Sequence, residues 1–181
     1  MYKLYAIRHP GHEGGRLLLR HALTQAGLSP DLEPVLLPGG KPYLSGLHFN
    51  LSHSGAWAVC AVSDGPVGVD LEQKRPLRRP AERKLTVSEQ AQLSMLDPNQ
   101  RQSAFFDLWV LKEAALKQTG EGLSALSRVE VTRSPASISL PGLHAALLPF
   151  PEEDYHLALC GTAPAPEQAE FYLLGNRTGV D

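Results

Sequence analysis

The chain opens on an apolar stretch, Tyr2 to Ile7, that reads as a first strand and is broken at once by Arg8, His9 and Pro10. A glycine-rich link, Gly11 to Gly15, follows. Beyond it Leu17, Leu18, Ala22 and Ala26 recur at helical spacing, and Gly27 offers a C-terminal stop, so a helix is expected over residues 16–28. Residues 36–45 are punctuated by proline and glycine and predict an extended connection. Trp57 to Val62 and Val67 to Leu71 are apolar runs joined by Ser63-Asp64-Gly65-Pro66, a turn signal. They predict a hairpin, with His48 to Ser54 feeding into it.

Thr86 and Glu89 have the spacing of a capping box and predict a helix running to about Met95. A longer helix is expected from about Gln102 to Thr119, stopped by Gly120 and Gly122. Four further segments, 129–132, 138–140, 155–160 and 171–174, read as strands. Trp57–Val62 and Tyr155–Cys160 echo each other, an aromatic followed by small and apolar residues. The echo leaves open two similar α+β halves meeting near residues 73–85.

At 181 residues the chain is long enough to bury a core without a metal or disulfide holding it. A net charge of -2 argues against a general nucleic-acid binder, which needs a positive face. Cys60 and Cys160 lie inside apolar runs and read as buried free thiols of a reducing compartment. No run approaches the roughly 20 apolar residues of a membrane span, and the start is no signal peptide. The expectation is a cytoplasmic protein.

Three segments carry candidate chemistry. On a strand, Asp70 and Glu72 of Gly68-Val69-Asp70-Leu71-Glu72 share one face roughly 7 Å apart, while Val69 and Leu71 take the other. Two such carboxylates suit a hard cation held by oxygen ligands, as Mg²⁺ is. On a helix, Trp109, Glu113 and Lys117 form one stripe with Lys112 beside it. In His48-Phe49-Asn50-Leu51-Ser52-His53-Ser54-Gly55, two hydroxyls, an imidazole and a turn could cradle a phosphate. Taken alone, each has an ordinary structural reading: an acidic strand end, a surface ion pair, a histidine in a turn. There is no nucleophile elbow to support serine catalysis.

Together the segments resemble the 4'-phosphopantetheinyl transferases of the surfactin-synthetase-activating type. That family carries, in order, a Gly-Lys-Pro segment, an (F/L)NxSHS turn, a G(I/V)D(I/L)E strand and a WxxKE(A/S)xxK helix followed by GxGL. Here these are Gly40-Lys41-Pro42, Asn50 to Ser54, Gly68 to Glu72, and Trp109 to Lys117 with Gly120 to Leu123. The family's basic stretch before the first helix is shortened to Arg8-His9-Pro10-Gly11-His12, and Lys84-Leu85 stand where an aromatic pair is usual.

The resemblance implies an α+β fold of two pseudo-symmetric halves, each a small antiparallel sheet packed with a helix, with the active site at their interface. The halves would be residues 1–75 and 76–181. It implies a monomeric, Mg²⁺-dependent enzyme (Mn²⁺ being an alternative) that moves phosphopantetheine from coenzyme A to a serine of an apo acyl or peptidyl carrier protein and releases adenosine 3',5'-bisphosphate. Asp70, Glu72 and Glu113 would hold the metal. Glu113 would act as base, and Lys117 would meet the leaving phosphate. Ser52 would contact the pyrophosphate and His53 the 3'-phosphate. Lys41 and Pro42 would border the adenine, Arg16 and Lys112 would be further phosphate contacts, and Glu89 would orient Lys112. Lys74 to Lys84, with six basic residues, is expected to be an extended crossing that draws an acidic carrier inward. The alternatives are a non-catalytic coenzyme A or nucleotide binder, and another Mg²⁺-dependent enzyme that cleaves diphosphates.

Overall fold

A computed structural model describes residues 1–76 and 81–175. Arg78 and Arg79, the middle of the basic crossing expected above, lie outside the described residues. Two sheets form its centre. The first has the order β11-β1-β5-β4, built from β1 (Tyr2–Ile7), β4 (His48–Ser54), β5 (Trp57–Ser63) and β11 (Glu170–Leu174). The second has the order β6-β10-β9, from β6 (Val67–Gln73), β9 (His144–Leu148) and β10 (Tyr155–Gly161). Two-stranded ribbons flank them: β2 (Val35–Leu36) with β3 (Pro42–Tyr43), and β7 (Val131–Arg133) with β8 (Ala136–Ile138).

The period of two along each strand decides what meets what. Tyr2, Leu4 and Ala6 of β1, with Trp57, Val59 and Ala61 of β5, point inward to a central core. Val67, Val69 and Leu71 of β6 and Leu157 and Leu159 of β10 meet them there. The opposite face of the first sheet is covered by α1 (Gly11–Gln25), through Leu18, Leu19, Ala22 and Leu23. The opposite face of the second is covered by α3 (Pro98–Thr119), through Leu108, Leu111, Ala114 and Ala115. The layers therefore run helix, sheet, sheet, helix. Cys60 and Cys160 are free and buried, and burial pushes both thiols up to about 12.

Two of the helices begin earlier than their sequence signals. α1 begins at Gly11 rather than after the glycines. Gly14 is where it presses on the sheet: a Cβ there would stand 2.5 Å from His9 O and 2.9 Å from the Ala58 Cβ. The glycine-rich segment is the first turn of the helix and not a linker, and Gly14 within it serves close packing. α3 starts at Pro98, whose ring presets the first helical turn, and ends on the left-handed Gly120 at φ 79°. The capping box of Thr86 and Glu89 forms and opens α2 (Val87–Ser94).

The hairpin expected between Trp57–Val62 and Val67–Leu71 does not form. β5 pairs instead with β4, across a two-residue turn that places Gly55 first at φ 55°, and on its other side with β1. After Ser63-Asp64-Gly65-Pro66 the chain crosses to the second sheet, where β6 pairs with β10. With β4 and β1 already on its two edges, β5 has no free edge for β6. The last strand returns to the first sheet, where β11 lies parallel to β1.

Candidate active site

Where β4 and β6 adjoin, side chains replace a backbone ladder. Asn50, Ser52 and Ser54 stand on one face of β4, two residues apart. Asn50 Oδ1 accepts the Val69 N–H at 2.9 Å, Ser52 Oγ the Leu71 N–H at 3.1 Å, and Ser54 Oγ the Gln73 N–H at 2.9 Å. The N-x-S-x-S pattern is thus first a structural device. It satisfies the amides on one edge of β6, which would otherwise be buried without partners.

That arrangement fixes the carboxylates. Asp70 and Glu72 project from β6 toward α3, on the face away from the central core. Gly68 lets the helix come close, because a Cβ there would run into Ala114 O and the Gln118 amide. Ser52 Oγ donates to Asp70 Oδ1 at 3.0 Å, and Lys117 Nζ donates to the same oxygen at 2.6 Å and to Ser52 Oγ at 2.9 Å. The other Asp70 oxygen, Oδ2, is buried with no hydrogen-bond partner among the described residues. Burial raises the Asp70 carboxyl above its usual range, against the pull of Lys117. Glu72 Oε2 accepts from Ser54 Oγ at 3.1 Å and from Arg75 at 2.7 Å.

Glu113 sits one helical turn before Lys117 and is half-buried. Burial first, then the negative charge of Asp70, pushes its carboxyl up to about 7, while Lys117 and Lys84 oppose the rise. Among the described residues no three His, Cys, Asp or Glu side chains are gathered closely enough to hold a metal ion. The donor chemistry nevertheless fits a hard divalent cation: only oxygens, one of them buried and unpartnered, and a second carboxyl whose pKa is raised by burial and by its acidic neighbours.

A cleft of ≈ 250 Å³ joins the motifs. Lys41 and Pro42 form one wall, Asn50 and Leu51 of β4 another, and Glu113 and Lys117 of α3 a third, with Gly120, Gly122 and Leu123 at the rim. Gly39 touches that rim, since a Cβ there would stand 2.7 Å from Gly120 O. Lys41 Nζ donates to Gln118 O at 2.5 Å, at the carbonyl end of α3, and burial lowers its pKa.

The remaining expected residues separate into two groups. His53 is exposed and meets His12 edge-to-face at 4.6 Å between ring centroids; partial burial lowers its pKa, and His12 and Lys117 add to the effect. Arg16, one turn beyond His12 on α1, is also exposed. Sequence reasoning saw His12 only as part of a shortened basic stretch. Ser52 and Lys112, by contrast, are engaged within the protein. Lys112 is 0% exposed, its three donors spent on Glu89 Oε1 at 2.7 Å, Glu89 Oε2 at 2.8 Å and Val129 O at 2.5 Å. Glu89 Oε1 also accepts the Val131 N–H at 3.0 Å. The pair anchors α2 and the strand after α3 to the middle of α3, and its ammonium does not reach the cleft.

The sequence pattern of the 4'-phosphopantetheinyl transferase superfamily matches residues 66–160, which span β6 to β10 and include every carboxylate of the site. The chain is 37% identical over 163 residues to a 4'-phosphopantetheinyl transferase of Bacillus subtilis, covering 83% of this chain and 73% of that protein. The chain belongs to this superfamily. It is also 34% identical over 165 residues to the 4'-phosphopantetheinyl transferase psf-1 of Bacillus pumilus, covering 83% of this chain and 70% of that one. To the 4'-phosphopantetheinyl transferase Sfp of Bacillus subtilis strain 168 it is 35% identical over 136 residues, 69% of this chain and 61% of that protein. Among the described residues of this phosphopantetheinyl transferase relative, no helix is long and apolar enough to cross a membrane.

Proposed function

We propose that this chain transfers the 4'-phosphopantetheine group of coenzyme A to a serine of an apo acyl or peptidyl carrier protein, releasing adenosine 3',5'-bisphosphate. The observation that carries the proposal is the meeting of the Lys41-Pro42 segment, the Asn50–Ser54 strand and the Glu113–Lys117 turn of α3 around one cleft, with Asp70 behind Lys117. Mg²⁺ or Mn²⁺ held by Asp70, Glu72 and Glu113 would offset the charge of the pyrophosphate and of the phosphorus under attack.

The protein's own groups supply the rest. A carboxyl titrating near 7 is suited to accept a serine proton at neutral pH, and this is the role proposed for Glu113. Lys117, one turn on, brings an ammonium to the same edge of α3 and would meet the phosphate that departs. Lys41 and Pro42 would border the adenine. His53, with His12 and Arg16 nearby, would face the 3'-phosphate. Ser52 would act from behind, by holding Asp70 and Lys117 in place for the pyrophosphate.

We propose further that residues 1–75 and 76–181 are two pseudo-symmetric halves with the active site at their interface. Support comes from β5 and β10, each a buried inner strand of its sheet, each covered by one helix. Incubation with coenzyme A and several apo carriers, read by intact mass, tests the activity. A carrier heavier by one phosphopantetheine, with adenosine 3',5'-bisphosphate released only when carrier is present, is the expected result. Release without carrier, or no carrier modified, would overturn it.

A further inference from the structure

His156 of β10 is a buried imidazole to which the proposed chemistry gives no task. It is directly opposite Glu72 in the strand pair, and the alternation of β10 turns it to the α3 side with Glu72 and Asp70. Its ring stacks on Phe106 of α3 at 5.5 Å between centroids. Its Nδ1 lies 2.7 Å from Asp107 Oδ1, and its Nε2 is buried with no hydrogen-bond partner among the described residues. Phe106 also carries the Arg75 guanidinium at 5.8 Å, the same group that donates to Glu72. Arg133 Nη1, 3.5 Å from Asp107 Oδ2, closes the other end of the chain of contacts.

The location matters more than the pair itself. The helix α3 brings Glu113 and Lys117; the strand β6 brings Asp70 and Glu72. Most of the surface between α3 and the second sheet is apolar, and apolar surfaces of similar shape tolerate small slips of a helix along its axis. Beside the bonds of Lys112 to Glu89 and of Gln102 to the Arg75 carbonyl, two side-chain ties join α3 to the strands of the second sheet among the described residues. One is Lys117 to Asp70, inside the site. The other is Asp107 to His156, ten residues earlier on the helix and roughly 15 Å along its axis. A tie at one end leaves the helix free to pivot, whereas two fix both its register and its direction. A buried polar pair with an unsatisfied nitrogen is poor as a source of stability and well suited to selecting one arrangement.

We propose that Asp107 and His156 are positioning residues: they lock α3 onto β10 so that Glu113 faces Asp70 and Glu72 at the spacing the reaction needs. The inference rests on the carboxylate reading above. Neither residue lines the cleft, so their effect passes through Glu113 and Glu72.

The test uses the full chain in two variants, Asp107→Asn and the double replacement Asp107→Leu with His156→Leu, and three readouts. These are thermal melting, Mn²⁺ binding by paramagnetic resonance without coenzyme A or carrier, and steady-state transfer. The expectation is that the double variant melts no lower than the parent, because apolar residues replace both members of a buried pair. Mn²⁺ binding and kcat should each fall about tenfold or more, the scale for a group that orients a metal ligand, with the KM for coenzyme A unchanged. A folded variant of either kind with parental Mn²⁺ affinity and parental kcat would overturn the proposal. So would failure of both variants to fold, which would make the pair a stability element. If the parent chain itself binds no Mn²⁺, the metal reading falls instead, and kcat against KM alone judges the positioning role.

Discussion

The Ser52 hydroxyl donates to Asp70 Oδ1 while accepting the amide of the very next residue, Leu71. One side chain thereby joins two strands that share no ladder and orients the carboxylate between them. With Lys117 also donating to it, the hydroxyl has used its one donor and both acceptor positions. Asn50 repeats half of this arrangement one step along β4, without touching a carboxylate.

Asn50→Ala should therefore cost stability. It leaves the buried Val69 amide without an acceptor, a loss of about 1–3 kcal/mol. Urea unfolding would show the loss as a lower midpoint with unchanged slope. A collapse of kcat with the midpoint unmoved would mean instead that Asn50 acts on substrate from its place in the cleft wall.

Lys112→Met should unfold the chain or destabilise it by about 3–5 kcal/mol, because it strands Glu89 as an unpaired buried charge. The double variant Lys112→Met with Glu89→Gln should recover part of that loss. Were Lys112 a phosphate ligand in solution, the single variant would instead fold normally and raise the KM for coenzyme A.

His53→Ala is expected to weaken coenzyme A by about 1–3 kcal/mol, the scale of a hydrogen bond to a charged group. Calorimetry with 3'-dephospho-coenzyme A should show a much smaller change. Equal losses for the two ligands would remove His53 from the 3'-phosphate.

Glu113 sets a pH dependence whose sign can be worked out. Its folded pKa, about 7, lies above the ordinary value of 4.5, so the folded chain holds that proton more tightly than the unfolded one. The corresponding stability is fully present below 4.5 and is lost as pH rises toward and through 7. In chelator, the difference in melting temperature between parent and Glu113→Gln should thus favour the variant increasingly from pH 5 to 8. A difference that stays flat across that window would put the Glu113 carboxyl back in its usual range.

Much of this was legible in the sequence, for identifiable reasons. Asp70 and Glu72 share a face because a strand has period two, and Gly120 ends α3 because only a residue at ease with positive φ can. What escaped was decided by partners far away in the chain. The run Val67 to Leu71 looks the same whether it pairs with β5 or with β10, and Ser63 to Pro66 marks a turn without saying what the turn joins. β9 was not anticipated; His144-Ala145-Ala146-Leu147-Leu148 has no alternation to announce a strand. Lys112 sits one position from Glu113, yet its burial depends on Glu89, which sequence spacing alone leaves on a separate helix.

The return of β11 to the side of β1 has a consequence for synthesis. Neither sheet can be assembled from an uninterrupted piece of chain: β6 must wait for β10, made more than eighty residues later, and β1 gains its parallel neighbour only when Glu170–Leu174 has been made. A nascent chain stalled near residue 100 would expose the bare edge of β6 and the uncovered inner faces of both β1 and β5. Both sheets are then completed only after Tyr155–Gly161 and Glu170–Leu174 have been made, and a cut between the two proposed halves would yield two fragments that each lack a strand the other holds.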